Sequence, residues 1–139
     1  METFLELTRI RVAEAMHPGL ITCPPETSLR TVARIMASHR VHCVIVFGVE
    51  EDEGEGHVWG IVSDLDLVAA IGPGLDDRTA GGTAASPLVT VEPGETLERA
   101  AQLMREYSTS HLVVVDQISE RPLGVISTID LAHAVSGLR

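Results

Sequence analysis

The 139-residue sequence contains no lysine and only four aromatic side chains. All ten basic residues are arginine, against 20 Asp and Glu, and the formal net charge is −10. Affinity for nucleic acids and anionic lipids depends largely on Lys and Arg, so this balance argues against DNA, RNA and membrane surfaces as partners. With so few aromatics, the core must be built from Val, Ile, Leu, Ala and Met.

Long hydrophobic runs and cysteines are also scarce. No apolar run approaches the roughly 20 residues that span a bilayer, and residues 1–6 carry acids where a signal peptide carries basic residues. We therefore expect a cytoplasmic protein. Cys23 and Cys43 lie among strand-like apolar residues, which favours two small buried side chains over a disulfide.

The common signatures of catalysis and metal binding are missing. The sequence has no nucleophile and base pairing, no Gly-rich phosphate loop and no zinc spacing, so we expect no enzyme and no metal site. His39 and His42 fall where a helix ends and a strand begins, which favours a surface role over a metal site. The acidic run Glu50 to Glu55 is typical of a solvated loop, with a weak divalent-ion site as the alternative.

What the sequence does contain is an internal repeat. The chain matches itself at an offset of 68 residues and then, after a loop that is four residues longer in the first copy, at an offset of 64. The identities at the first offset pair Leu20, Thr22, Pro25, Leu29, Ala33, Met36 and Val46 with Leu88, Thr90, Pro93, Leu97, Ala101, Met104 and Val114. Those at the second pair Gly60, Ser63, Asp66, Leu67 and Ala70 with Gly124, Ser127, Asp130, Leu131 and Ala134. Two copies of one structural unit are therefore predicted.

Each copy is predicted to contain a helix, a short strand, a second helix, two further strands and a last helix. Ser28 and Thr96 are predicted to cap the second helix of each copy, because apolar residues follow them at helical spacing. The runs 43–47 and 111–115 are continuously apolar, which indicates strands buried on both faces. A strand, a helix and another strand indicate a parallel crossover in each copy.

The predicted fold is therefore α/β (α+β), with two βαββα-type repeats at 9–72 and 83–137. The Gly- and Pro-containing stretch 73–82 is predicted to be the linker between them. Because neither copy alone can cover both faces of its sheet, we expect the two to pack with pseudo-twofold symmetry into one module.

The most informative repeated segment is a Gly-h-h-Ser-x-x-Asp motif (h is apolar), which contains Ser63 and Asp66 in the first copy and Ser127 and Asp130 in the second. In each, a strand ends in Ser, and Asp follows at the start of a helix. One interpretation is a capping box that satisfies helix N–H groups without a ligand. The other is a binding site, because a helix N-terminus binds phosphate and a carboxylate accepts hydrogen bonds from both hydroxyls of a ribose.

Further segments are duplicated along with this motif. The openings 20–25 (LITCPP) and 88–93 (LVTVEP) match, and the helices that follow them end in Met36 and Met104. In this order, these segments resemble a tandem pair of CBS domains, the cystathionine-β-synthase-type repeat whose pair is called a Bateman module. The resemblance covers roughly residues 9–137.

The resemblance implies a regulatory module that binds an adenine nucleotide or adenosyl ligand, such as AMP, ADP, ATP or S-adenosylmethionine, in clefts between the repeats. It implies that Asp66 and Asp130 hold the ribose hydroxyls, and that Ser63, Ser127 and Thr128 lie at the phosphate end. The implied adenine slot is formed by Ile21, Thr22, His42 and Cys43 in the first repeat and by Val89, Thr90, Ser110 and His111 in the second.

One position departs from the pattern of phosphate-binding relatives. One of the two residues after the motif Ser is often basic in those proteins, whereas here they are Asp64-Leu65 and Thr128-Ile129. A carboxylate 4 Å from a phosphate costs about 1 kcal/mol in water. The second motif is therefore predicted to suit a phosphorylated ligand better, and the first to tolerate an uncharged or cationic group beyond the ribose.

The resemblance further implies a homodimer that signals by conformational or oligomeric change, to itself or to an unidentified effector protein. The apolar helix faces predicted to form the dimer contain Leu67, Val68, Ile71, Leu131 and Val135. The alternative function is a structural or dimerisation module without a ligand, in which the motif Ser and Asp only cap helices.

Overall fold

The computed structural model describes residues 7–17, 19–49, 56–84 and 88–137. In chain order its elements are α1 (Val12–Ala15), β1 (Thr22–Cys23), α2 (Leu29–His39), β2 (Cys43–Val49), β3 (Gly56–Ser63), α3 (Asp64–Ala70), α4 (Ala80–Thr83), β4 (Thr90–Val91), α5 (Leu97–Tyr107), β5 (His111–Val115), β6 (Pro122–Ser127) and α6 (Thr128–Ser136), with a 3-10 helix over Leu75–Asp77. The predicted α/β fold with two repeats is confirmed.

The elements form two compact units. The central unit lies within residues 21–88, and the discontinuous unit joins the chain up to Leu20 to the chain from Val89 onward. Each unit has one three-stranded sheet, with the strand order β1-β2-β3 in the central unit and β4-β5-β6 in the discontinuous unit. In both sheets the first two strands are parallel and the last two antiparallel, so the predicted parallel crossover is present in each repeat.

The long helix of each repeat begins where the sequence predicted. The Ser28 hydroxyl accepts a hydrogen bond from the N–H of Thr31 at 3.2 Å, and the Thr96 hydroxyl accepts one from Arg99 at 3.1 Å. These side chains satisfy N–H groups that the first turn of a helix leaves without partners. The helices α2 and α5 then turn their apolar faces to the sheets.

Each unit has its own aliphatic core. The strand residues 44–46 and 112–114 are all buried, as the continuous apolar runs predicted. The core of the central unit contains Cys23, Leu29, Val32, Met36, Val44, Val46, Val62, Ala70 and Ala80. The core of the discontinuous unit contains Ile10, Val12, Val91, Leu97, Ala100, Leu103, Met104, Leu112, Val114, Ile126 and Ala134.

The short helices α1 and α4 are exchanged between the repeats. The N–H of Val12 donates to the carbonyl of Glu95, and the N–H of Ala80 donates to the carbonyl of Thr27, each at 2.8 Å. Since 12 and 80, like 27 and 95, are 68 positions apart, the two bonds are equivalent. The segment before the first repeat therefore completes the unit of the second repeat. The stretch predicted as a linker, 73–82, overlaps α4, and α4 completes the unit of the first repeat.

Candidate functional site

In the central unit, the predicted ligand contacts lie at one end of the sheet, where β2 begins and β3 ends. Cys43 lies opposite Ser63 in the antiparallel pairing. The N–H of Asp64 donates to the carbonyl of His42 at 2.8 Å. The parallel strand β1 reaches the same end, because the carbonyl of Ile21 accepts the N–H of Ile45 at 3.0 Å and Thr22 is the next residue.

The discontinuous unit repeats this arrangement. His111 lies opposite Ser127, and the N–H of Thr128 donates to the carbonyl of Ser110 at 3.0 Å. The carbonyl of Val89, the residue before Thr90, accepts the N–H of Val113 at 3.2 Å. Within each unit, therefore, residues from three separate segments meet at one end of the sheet.

The Ser and Asp of the first motif form a hydrogen-bonded cap on α3. One carboxylate oxygen of Asp66, Oδ2, accepts from both the N–H and the hydroxyl of Ser63, at 2.9 Å each. The Ser63 hydroxyl in turn accepts from the N–H of Asp66 at 3.2 Å. Both residues are half-buried. The capping interpretation thus describes what these side chains do without a ligand.

The second motif is similar but more deeply buried. Oδ2 of Asp130 accepts from the N–H of Ser127 at 2.8 Å and from its hydroxyl at 3.1 Å. Asp130 exposes only 5% of its surface and Ser127 only 7%, and they are the two buried polar residues in the described part of the chain. A buried carboxylate is costly unless it has partners, which the serine provides.

The other oxygen of Asp130 has a different neighbour. Nε2 of His17 lies 3.3 Å from Oδ1, which makes an ion pair when the imidazole is protonated. The backbone of His17 pairs with Val125 through two hydrogen bonds, of 3.0 and 3.3 Å. A cavity of about 320 Å³ adjoins this contact and is lined by Ile10, Glu14, Ala15, His17, Asp130, His133 and Ala134. It is mostly apolar, with one buried carboxylate in its wall.

The position after the motif Ser differs in charge between the repeats. Asp64 in the central unit accepts from Nδ1 of His42 at 3.0 Å, and both side chains are more than half exposed. The equivalent residues in the discontinuous unit are Thr128 and Ser110, which are neutral. The negative charge predicted to repel a phosphate is therefore present, with an imidazole beside it.

The histidine pair considered as a metal site does not converge. Nδ1 of His39 donates to the carbonyl of Ile35 at 3.0 Å, whereas His42 turns to Asp64. In the ranges that the structure describes, no three His, Cys, Asp or Glu side chains could hold a metal ion together. The acidic run Glu50 to Glu55 lies outside the described residues.

The two cysteines are free thiols, as expected. Burial, and to a lesser degree the nearby carboxylate of Asp64, raises the pKa of Cys43 from its ordinary value near 9 to about 12. Burial also raises the pKa of Cys23. Because the thiolate is the reactive form, both side chains are poor nucleophiles at neutral pH.

Both cysteines should therefore react slowly with iodoacetamide at pH 8 in the folded protein and quickly in urea, as measured by mass spectrometry over time. The pKa of Cys43 is higher in the folded protein, about 12, than in the unfolded chain, near 9. The protonated thiol therefore contributes to the free energy of unfolding below pH 9, and this contribution is lost as the pH rises through about 12. Urea denaturation should accordingly show stability falling above pH 9. Equal alkylation rates in folded and unfolded protein would contradict the burial of the thiols.

Sequence reasoning missed Glu14, His17 and His133 as neighbours of Asp130. Glu14 and His17 approach it through α1 and the bridge to Val125, which join parts of the chain that local periodicity does not relate. His133 follows Asp130 by three residues on α6, where helical spacing alone could have placed it. One signal was present in the sequence. Gly124 belongs to the repeated motif, and a Cβ there would collide with the carbonyl oxygen of His17.

The described residues include no helix with the length and apolar character needed to cross a membrane.

The fold and the repeated motif can be compared with known proteins. The sequence profile of the CBS domain family matches residues 12–73 and 84–137. The CBS domain-containing protein YhcV of Bacillus subtilis is 28% identical over 123 residues, which cover 87% of this chain and 82% of that protein.

Two solved structures have the same fold. The CBS domain of the bacterial CNNM/CorC family Mg²⁺ transporter, in complex with ATP, superposes with a TM-score of 0.81 at 21% identity, over 99% of this chain and 95% of that one. The CBS domain pair of the protein MJ0100, in complex with 5′-methylthioadenosine and S-adenosyl-L-methionine, superposes with a TM-score of 0.78 at 21% identity, over 92% and 97% of the two chains. With two profile matches that cover most of its length, this chain belongs to the CBS domain family and contains a tandem pair of these domains.

Proposed function

We propose that this CBS pair is a regulatory module that binds an adenine nucleotide or adenosyl ligand, of the AMP, ADP, ATP or S-adenosylmethionine type, and signals by a change of conformation or oligomeric state. In this proposal Asp66 and Asp130 bind ribose hydroxyls. The hydroxyls of Ser63, Ser127 and Thr128 lie near the phosphate end or its equivalent.

The observation that carries the proposal is the equivalent convergence in the two units. In each, the Ser-x-x-Asp motif lies at the same end of the sheet as the residues proposed for the adenine slot: Ile21, Thr22, His42 and Cys43 in one, and Val89, Thr90, Ser110 and His111 in the other. This end combines backbone groups, short polar side chains and a carboxylate. Such a set can read the edge of a base and a sugar hydroxyl. The adenosyl compounds bound to the two solved CBS structures support this ligand class.

Residue 64 is a charged Asp, whereas the equivalent residue of the other unit is the neutral Thr128. The two units should therefore prefer ligands that differ in the group beyond the ribose. In the discontinuous unit, Thr128 places no carboxylate at the position equivalent to Asp64, so a phosphorylated ligand suits this unit better. In the central unit, the pair of Asp64 and His42 favours a ligand whose group beyond the ribose is uncharged or cationic, as in S-adenosylmethionine.

The signal is a population shift. A ligand that binds one conformation more tightly than another moves the equilibrium toward it, by no more than its difference in affinity. A homodimer is the proposed oligomer. Of the apolar residues predicted for its interface, Val68, Ile71 and Val135 are at least half exposed, whereas Leu67 and Leu131 pack against the cores of their own units.

The capping hydrogen bonds favour the second candidate function, a structural or dimerisation module without a ligand. Ser63 and Ser127 already satisfy one oxygen of Asp66 and Asp130. In this alternative the repeated motif serves only to start α3 and α6.

Chemical denaturation with added ligand separates the two candidates. At 100 times its Kd, a ligand should raise the free energy of unfolding by about 2.7 kcal/mol. AMP, ADP, ATP and S-adenosylmethionine are each tested at millimolar concentration. The double variant Asp66→Ala, Asp130→Ala should lose the stabilisation because both ribose acceptors are gone, and mass spectrometry should recover the ligand unchanged.

Asp116→Ala is the matched control. Its carboxylate also accepts two hydrogen bonds, here both from backbone N–H groups, those of Ile118 and Ser119 in the turn between β5 and β6. This variant should be stabilised by ligand as much as the wild type. If none of the four compounds stabilises the wild type, the structural module is the correct interpretation, and recovery of a chemically altered nucleotide would instead indicate an enzyme.

A further inference from the structure

The carboxylate of Asp130 has little hydrogen-bonding capacity left. An ionised carboxylate offers about four acceptor positions, two on each oxygen. Oδ2 already accepts from the N–H and the hydroxyl of Ser127, so any ligand must use Oδ1.

The approach to Oδ1 is narrow. The Asp130 side chain is 3% exposed, and Asp130 lines the cavity of about 320 Å³ that the sequence did not predict. Nε2 of His17 lies 3.3 Å from it. The imidazole itself is 69% exposed and lies against the buried carboxylate.

The backbone of His17 is fixed at this place. It exchanges two hydrogen bonds with Val125, and its carbonyl oxygen packs against the Cα of Gly124, where no Cβ would fit. The side chain of His17 therefore starts from a defined point beside Asp130, and rotation of this side chain would move the imidazole away from Oδ1.

We propose that His17 is a specificity-determining residue for the ligand of the discontinuous unit. A ribose presents two neighbouring hydroxyls, which need two acceptor positions, but with the imidazole beside Oδ1 only one hydroxyl can reach the carboxylate. This unit therefore discriminates poorly between a ribose and a 2′-deoxyribose. The inference depends on the proposed function, since it concerns the sugar of the same ligand.

The central unit provides a contrast. Oδ2 of Asp66 has the same two partners from Ser63, and no side chain in the described ranges forms an ion pair with its Oδ1. The position equivalent to His17, 68 residues along the chain, is Ala85, which lies outside the described residues and whose methyl group cannot form an ion pair. We therefore expect the two units to differ in their preference for the cis-diol.

The test compares the affinities of AMP and 2′-deoxy-AMP by isothermal titration calorimetry. All proteins carry Asp66→Ala, so that Asp130 is the one motif carboxylate left to bind the sugar. With His17 present, the two nucleotides should bind within about threefold of each other. Adding His17→Ala, which places the residue of the other repeat here, should strengthen AMP binding about tenfold while leaving 2′-deoxy-AMP nearly unchanged, because one further hydrogen bond to a charged group becomes available. His17→Val, which suits the extended backbone and also lacks an imidazole, should behave in the same way.

His39→Ala is the matched control, since it removes an exposed histidine of the central unit that bonds to the carbonyl of Ile35 and should leave the ratio of the two affinities unchanged. Urea denaturation of each variant checks that the unit stays folded. An AMP to 2′-deoxy-AMP ratio that does not change in either His17 variant overturns the inference, as does weaker binding of both nucleotides. If neither nucleotide binds any of these proteins, the inference is also overturned. The denaturation series with four ligands then decides separately whether the proposed function fails with it.

Discussion

Replacing Leu97 by alanine is expected to lower the free energy of unfolding by about 3 kcal/mol. Leu97 is the first residue of α5, has no exposed surface and belongs to the core of the discontinuous unit. Removing its isobutyl group forfeits the transfer free energy of buried apolar surface, and it also leaves a cavity that the surrounding strands fill only in part. Urea denaturation followed by circular dichroism measures the loss.

Leu29→Ala gives the matched experiment in the central unit, because Leu29 is the equivalent residue and is also fully buried. A similar loss is expected. Leu65→Ala serves as the control, since that side chain is 75% exposed and its truncation should cost less than about 0.5 kcal/mol. Should the Leu97 variant unfold at the same urea concentration as the Leu65 variant, the assignment of Leu97 to the core would be wrong.

Gly124→Ala is expected to destabilise the protein by about 2 to 3 kcal/mol, in the range of overpacked sites. A Cβ at this position would collide with the carbonyl oxygen of His17 and press on Sδ of Met16, which lies 3.2 Å away. The obstacle is backbone, so a change of rotamer cannot relieve it. The segment that contains His17 must move away, and its two hydrogen bonds with Val125 weaken. Amide hydrogen exchange at His17 and Val125 should therefore accelerate.

Gly94→Ala is the control for this substitution. An added Cβ at Gly94 meets no atom within 4 Å, and its backbone lies outside the left-handed region. It should be neutral or slightly stabilising, because alanine reduces the freedom of the unfolded chain. Equal unfolding midpoints for the Gly124 and Gly94 variants would refute the close approach of the N-terminal segment.

Local patterns predicted the elements of the structure well. Ser28 and Thr96 were identified as caps because a short polar side chain followed by helical spacing has few other interpretations, and both accept the expected hydrogen bonds. The repeat also predicted that the Ser-x-x-Asp segments lie at strand and helix junctions. Both segments lie at such junctions. The prediction was possible because the hydrogen bonds between each Ser and its Asp join residues only three positions apart.

The surroundings of Asp130 were not predictable in the same way. His17 reaches this carboxylate through strand-like pairing with Val125, which is far away in the sequence. Hydrophobic periodicity reports which face of an element is buried, but not which distant segment covers it. The stretch 73–82 shows the same limit of local patterns. Its Gly and Pro content predicted a linker, whereas a short helix begins there at Ala80, which is fully buried.

The exchanged helices also set an order of events during synthesis. Residues 21–88 form a continuous stretch, so the central unit has all of its parts once they leave the ribosome. The apolar residues Ile10 and Val12 emerge before the central unit, but their partners in α5 and α6 are made after it. At about 5–20 residues per second, the roughly 50 residues from Val89 to Gly137 take about 3–10 seconds. Throughout that interval the nascent chain carries an exposed apolar segment, which a chaperone or a neighbouring nascent chain can bind before the discontinuous unit closes over it.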